Sequence, residues 1–66
     1  MRLAVNGKPR EIDGEQTILQ FLAANGVNPL IVAIEHNGEI IRRERFGEVT
    51  LREGDTLEII HVVGGG

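Results

Sequence analysis

A chain of 66 residues makes one small domain, because chains of this size bury only about 60% of their unfolded surface, and a multidomain enzyme is excluded. Seven Lys and Arg against ten Asp and Glu give a net charge of −3, and with no Tyr, no Trp and two Phe the chain has neither the field nor the stacking platforms of a nucleic-acid binder. Cysteine is absent, which removes disulfides, thiolate nucleophiles, redox pairs and Cys-ligated zinc.

The first strand alternates Met1, Leu3, Val5 against Arg2, Ala4 and ends at Asn6-Gly7, a hairpin signal. A two-residue turn would set Leu3 opposite Arg10. A four-residue connection through Lys8 and Pro9 sets Leu3 opposite Ile12, and this is the expected register because it keeps Pro9 out of the ladder. Thr17 with Gln20 then forms a capping-box pattern, Ile18, Leu19, Phe21 and Leu22 follow at helical spacing, and Gly26 supplies a stop. The expected centre line of this short helix is Ile18, Leu19 and Leu22, with Phe21 on the flank. Two turns cannot stand alone, so a sheet must lie beneath them.

Val27 to Leu30 is a loop, and Ile31 to His36 is a β-rich run that reaches a second Asn-Gly at Asn37-Gly38, followed by Glu39-Ile40-Ile41. The two-residue turn fits here. It pairs Ile34 with Ile41 on the inner face and Glu35 with Ile40 on the outer. Arg42 to Glu48 is a polar connection of mixed sign carrying Phe46. Val49 and Leu51 lead to a turn at Glu53-Gly54-Asp55, and the last strand runs from Thr56 to Val63. One helix on one face of a mixed sheet of four to five strands is an α+β architecture, with the ubiquitin-like β-grasp as the natural candidate. In it the first and last strands lie side by side at the centre. Residues 1–63 form the expected domain and 64–66 a flexible tail.

That tail, Gly64-Gly65-Gly66, is the one feature the fold does not require. Glycines accept extended and left-handed backbone alike and can thread a channel too narrow for side chains. Extended, they carry the terminal carboxylate about 10 Å past the strand. Insertion into a partner's active site and a frayed end both account for them. They do not form a phosphate loop, which needs a following helix and a Lys.

The joint pattern resembles the ThiS family, ubiquitin-like sulfur carriers of thiamine thiazole biosynthesis. It comprises Asn6-Gly7, Gly14-x-x-Thr17-Ile18-x-x-Phe21-Leu22, Val32-Ala33-Ile34-Glu35-x-Asn37-Gly38-Glu39-Ile40-Ile41, Glu53-Gly54-Asp55-x-Leu57-Glu58-Ile59 and His61-Val62-Val63-Gly64-Gly65-Gly66. The resemblance implies a protein cosubstrate rather than an enzyme. A ThiF-like adenylating enzyme would use ATP to activate the Gly66 carboxylate, and sulfur from cysteine, by way of a desulfurase, would replace AMP. The thiocarboxylate would then be spent at a ThiG-like thiazole synthase. Gly66 would take the covalent chemistry and Gly64 and Gly65 would fit the channel; no bound cofactor, metal, nucleic acid or membrane is implied. Other readings are the sulfur carrier of molybdopterin synthesis, usually longer, and a TGS-type binding or regulatory module, which has no need of a terminal Gly-Gly.

If Leu3, Val5, Ile34, Ile41, Leu57 and Ile59 face the helix, the opposite face exposes Ala4, Ala33, Ile40, Ile60 and Val62 beside Glu35 and Glu58, an expected partner-docking surface. His36 and His61 share no metal-ligand spacing with other ligands; His36 is expected to be solvated. Asp13, Glu15, Glu53 and Asp55 have local turn and helix-start roles. A cytoplasmic location and a monomeric free state are expected, since the N-terminus lacks a signal-peptide core and no run approaches a membrane span.

Overall fold

A computed structural model describes residues 1–62. The strands are β1 (Arg2–Val5), β2 (Lys8–Glu11), β3 (Val32–His36), β4 (Glu39–Ile41) and β5 (Thr56–His61), and the helix α1 (Ile18–Ala24) falls between β2 and β3. They form one mixed sheet in the order β2-β1-β5-β3-β4. β1 and β5 run parallel at its centre, and the other neighbours are antiparallel. This is the β-grasp arrangement, with five strands.

The β1–β2 hairpin departs from the expected register. Its turn is the two residues Asn6 and Gly7, with Leu3 opposite Arg10 and Ala4 opposite Pro9. Asn6 (φ 52°) and Gly7 (φ 80°) both adopt positive φ, the conformation whose twist matches the flanking strands. Pro9 costs no ladder bond. The Met1 amine donates to the Ile12 carbonyl at 3.0 Å and the Ile12 N–H to the Met1 carbonyl at 2.8 Å, which makes Met1 and Ile12 a hydrogen-bonded pair. By alternation Ala4 and Pro9 are a non-bonded pair, so the proline nitrogen faces the outer edge of the sheet. The same register puts Arg10 on the helix side. Its guanidinium lies 5.5 Å from the Phe21 ring centroid, and Nη2 donates to Asn25 Oδ1 at 2.6 Å.

Both ends of α1 are satisfied. Gln20 N–H donates to Thr17 Oγ1 and Thr17 N–H to Gln20 Oε1, completing the capping box. The N–H groups of Ile18 and Leu19, which have no partner within the helix, donate to the carbonyls of Val49 and Phe46 at 3.0 Å each. At the other end Gly26, at φ 68°, lets its N–H reach the Ala23 carbonyl and the Val27 N–H reach the Leu22 carbonyl, a Schellman closure. The buried line of the helix is Ile18, Phe21 and Leu22, not Ile18, Leu19 and Leu22. Leu19 is 42% exposed and lies along the 46–47 loop, which its own N–H joins.

Leu3, Val5, Val32, Ile34, Ile41 and Leu57 of the sheet meet Ile18, Phe21 and Leu22, and Phe46 and Leu51 complete the core from the loops. Ile59 is only partly buried. The Asn37-Gly38 hairpin has the expected register, Ile34 opposite Ile41 and Glu35 opposite Ile40. The loop before β3 contains a 3-10 turn, Pro29–Ile31, begun by Asn28 Oδ1 accepting from the Leu30 N–H, so β3 starts at Val32 rather than Ile31. A second such turn, Arg43–Arg45, lies in the polar connection.

Leu22→Ala should lower the unfolding free energy by about 2–5 kcal/mol, whereas Leu19→Ala, trimming a half-exposed side chain, should cost less than about 1 kcal/mol. Urea denaturation distinguishes them, and equal losses would contradict the helix orientation described here.

Candidate functional site

The last described strand, β5, is the central one of the sheet. β5 lies between β1 and β3, and the Val62 N–H donates to the Ile31 carbonyl at 2.8 Å, so the strand is held to its neighbour up to the last described residue. Gly66, expected to take the covalent chemistry, and Gly64 and Gly65, expected to fit the channel, lie outside the described residues, as does Val63.

The residues expected to form a docking face are only partly gathered. Ala33 and Ile60 stand opposite one another on β3 and β5, with Val62 next along the same face. Ile60 is 51% and Val62 54% exposed. Ile40 is exposed on β4 across from Glu35, and Glu35 stands opposite Glu58, so two carboxylates lie between it and the centre of the sheet. Ala4 stands opposite Thr56, four positions before Ile60, about 13 Å away along the strand. It lines a shallow cavity of about 300 Å³ with Arg2, Leu3, Gly7, Pro9, Glu53 and Gly54.

Ile31 adjoins Val62, and Leu30 precedes Ile31 in the 3-10 turn; neither follows from the strand alternation. Both are exposed, and Ile31 is bonded directly to Val62. The signal was two adjacent apolar residues in a loop begun by Asn28-Pro29. Ile31, Ile60 and Val62 thus form an exposed apolar surface at the last described residues of the chain, of a kind that can seat a partner.

The far end of the same strands holds a polar cluster. His36 Nε2 lies 2.7 Å from Asp55 Oδ2, and both side chains are largely buried, at 15% and 13% exposure. His36 is therefore paired rather than solvated. Asn37 Nδ2 donates to Asp55 Oδ1 at 3.1 Å, the Arg52 N–H donates to Asp55 Oδ2 at 2.9 Å, and Asn37 Oδ1 accepts from the Thr56 N–H at 2.8 Å. Asp55 thus closes its own turn and also ties it to the β3–β4 hairpin. Burial pushes the Asp55 carboxyl up, but the hydrogen bonds from His36, Asn37 and Arg52 and the charge of His36 outweigh it and hold the group below its ordinary 3.8. His61 is exposed at the opposite end of the β3–β5 ladder, so the two histidines share no site. Among the described residues no group of three or more His, Asp or Glu is placed to hold a metal, and no helix is long and apolar enough to cross a membrane.

The five-stranded β-grasp with one helix on one face defines a ubiquitin-like domain. The comparisons assign it more closely. The ThiS family profile matches residues 3–66, and the chain belongs to the ThiS family. It is 43% identical to the sulfur carrier protein ThiS of Bacillus subtilis, over 97% of this chain and 98% of that protein. A crystal structure of the thiamine biosynthesis protein ThiS from Geobacter metallireducens superposes with a TM-score of 0.88 at 39% identity, covering all of both chains. Two thiazole synthases, from Paramagnetospirillum magneticum and Magnetococcus marinus, are 36% and 35% identical over all 66 residues. The chain spans 20% of the length of each.

A carboxylate whose pKa is lowered by folding stabilises the folded state above its unfolded pKa, and that contribution is lost as pH falls through the folded value. Wild type should therefore exceed Asp55→Asn in stability at about pH 5 and lose that advantage progressively below 3.8. Urea titrations across this range check it; a difference independent of pH would contradict the pairing.

Proposed function

We propose that this chain is a sulfur carrier of thiamine biosynthesis, a protein cosubstrate whose reactive group is the Gly66 carboxylate. The observation that carries the reading is the end-to-end similarity to the Bacillus sulfur carrier, joined to the sequence Gly64-Gly65-Gly66 that follows the central strand β5.

A carboxylate is a poor electrophile and must be activated before sulfur can be added. In the proposed cycle a ThiF-like adenylating enzyme supplies ATP, a carboxylate oxygen of Gly66 attacks the α-phosphorus, and pyrophosphate leaves. Cysteine-derived sulfur leaves the desulfurase as a persulfide, is reduced to sulfide by an added thiol that ends as a disulfide, and attacks the carbonyl carbon. The carbon–oxygen bond to AMP breaks, and a thiocarboxylate remains for thiazole synthase to consume. Gly64 and Gly65 serve by what they lack, since a Cβ would widen the segment that must enter the enzyme. A chain without cysteine has no thiol of its own for the sulfur, which suits carriage on the terminal carbonyl.

Ile60 and Val62, with Ala33 beside Ile60 on β3, form the centre of the proposed docking surface, joined by Ile31. Ile40 and Ala4 sit at its margins. The two thiazole synthases that contain a stretch similar to this whole chain support that enzyme as a partner. Use of ATP by the activating enzyme fits a cytoplasmic location.

ATP–pyrophosphate exchange by the adenylating enzyme tests the reading. Gly65→Val should reduce exchange to background, and Ile60→Asp should raise the KM for the carrier about tenfold, equivalent to ~1.4 kcal/mol. Undiminished exchange with Gly65→Val would refute the tail's role.

A further inference from the structure

β1 ends at Val5 beside Leu57, whereas β5 continues to His61. Towards β3 the ladder is complete. The Asn37 N–H donates to the Thr56 carbonyl at 3.0 Å and the Val62 N–H to the Ile31 carbonyl at 2.8 Å. These two bonds fix the alternation: main-chain groups of Thr56, Glu58, Ile60 and Val62 face β3, and those of Leu57, Ile59 and His61 face the other way.

On that other side β1 gives out partway. The Asn6 N–H donates to the Leu57 carbonyl at 2.9 Å, and Asn6 Oδ1 accepts from the Ile59 N–H at 2.7 Å, a side chain standing in for the missing strand. Asn6 then turns at φ 52° and the chain departs into β2 on the far side of β1. Among the described residues nothing pairs with β5 beyond it. The Ile59 carbonyl and the His61 N–H and carbonyl therefore line an open edge in the middle of the sheet, directly before the tail. Groups at this spacing are met by extended main chain.

We propose that this edge is completed by an extended strand of the thiazole synthase, which occupies the line of β1 beyond Asn6 and hydrogen-bonds to the main chain of His61. The proposal rests on the sulfur-carrier reading. The synthase is chosen because two such enzymes carry, within one polypeptide, a stretch similar to this entire chain. Ile60 and Val62, exposed beside the edge, call for apolar side chains on the same face of the incoming strand. Strand pairing at His61 would set the direction in which residues 63–66 proceed, so main-chain bonds align the tail and the apolar rim supplies contact area.

The test uses the full-length chain and a purified, separately encoded thiazole synthase. The His61 amide should become protected from hydrogen exchange in the complex. His61→Pro removes the edge-facing N–H while sparing every bond to β3, as Pro9 spares β1, and it should bind about 3- to 10-fold more weakly than His61→Ala, which keeps the N–H. A complex in which the His61 amide exchanges as in the free chain, with both variants binding alike, overturns the proposal. Protection seen only on self-association, or only with the adenylating enzyme, overturns it too. Should His61→Pro fail to fold, exchange in the wild-type complex decides alone. Failure of the wild-type chain to bind the synthase would instead refute the partnership itself, and this inference with it.

Discussion

The parallel pairing of β1 with β5 is the constraint on which the rest of the molecule depends. It sets Ala4 against Thr56 and Val5 against Leu57, joining segments some fifty positions apart at the centre of the sheet. With β3 closing on the other side, β5 is flanked by two strands over its first half and by one over its second. The strand that releases the tail is therefore anchored at its start and increasingly open towards its end. Asn6 marks the change: its backbone ends the β1 ladder, its side chain adds one more bond to Ile59, and its positive φ turns the chain away.

A seven-residue helix does not persist by propensity, and here the polar connection that follows β4 completes it. The carbonyls of Phe46 and Val49 accept the first N–H groups of α1, while the Phe46 ring enters the core beside Phe21 and Leu22. A segment that reads as a solvated charge run thus supplies a helix cap, and its charges face outward around one buried ring. Where β5 begins, Asp55 performs a comparable service, closing the 52–55 turn and binding it to the β3–β4 hairpin through His36 and Asn37. The start of β5 is thereby tied to the β3–β4 hairpin, while its last residues are flanked by β3 alone.

Sequence pattern and structure agree where two local rules point the same way. At Asn37-Gly38 the turn type and the inward isoleucines demand one register, and that register forms. At Asn6-Gly7 the second rule was missing, because all four residues of β2 are exposed and no apolar face could report a slip. Pro9 then misled, since only half the N–H groups of an edge strand face its neighbour. Four apolar residues within Ile18 to Leu22 exceed what one face of a short helix can bury. Leu19 turns outward because the 46–47 loop, remote in sequence, lies along that side. The pairing of His36 with Asp55 joins positions nineteen apart, with no periodicity to announce it. The exposed apolar positions Ala33 and Ile60 were legible as alternation along β3 and β5, but Ile31 reaches Val62 from a 3-10 turn whose direction no alternation encodes.

We propose that sulfur is carried on the carboxylate of Gly66, beyond two residues without side chains. Intact mass spectrometry of the chain after incubation with ATP, a cysteine-derived sulfur source, the adenylating enzyme and the desulfurase tests this most directly, with a Gly66 deletion alongside. A gain equal to sulfur minus oxygen, absent from the deletion, is the predicted result. An unchanged mass in a mixture that converts a known carrier, or the same gain in the deletion, would contradict it.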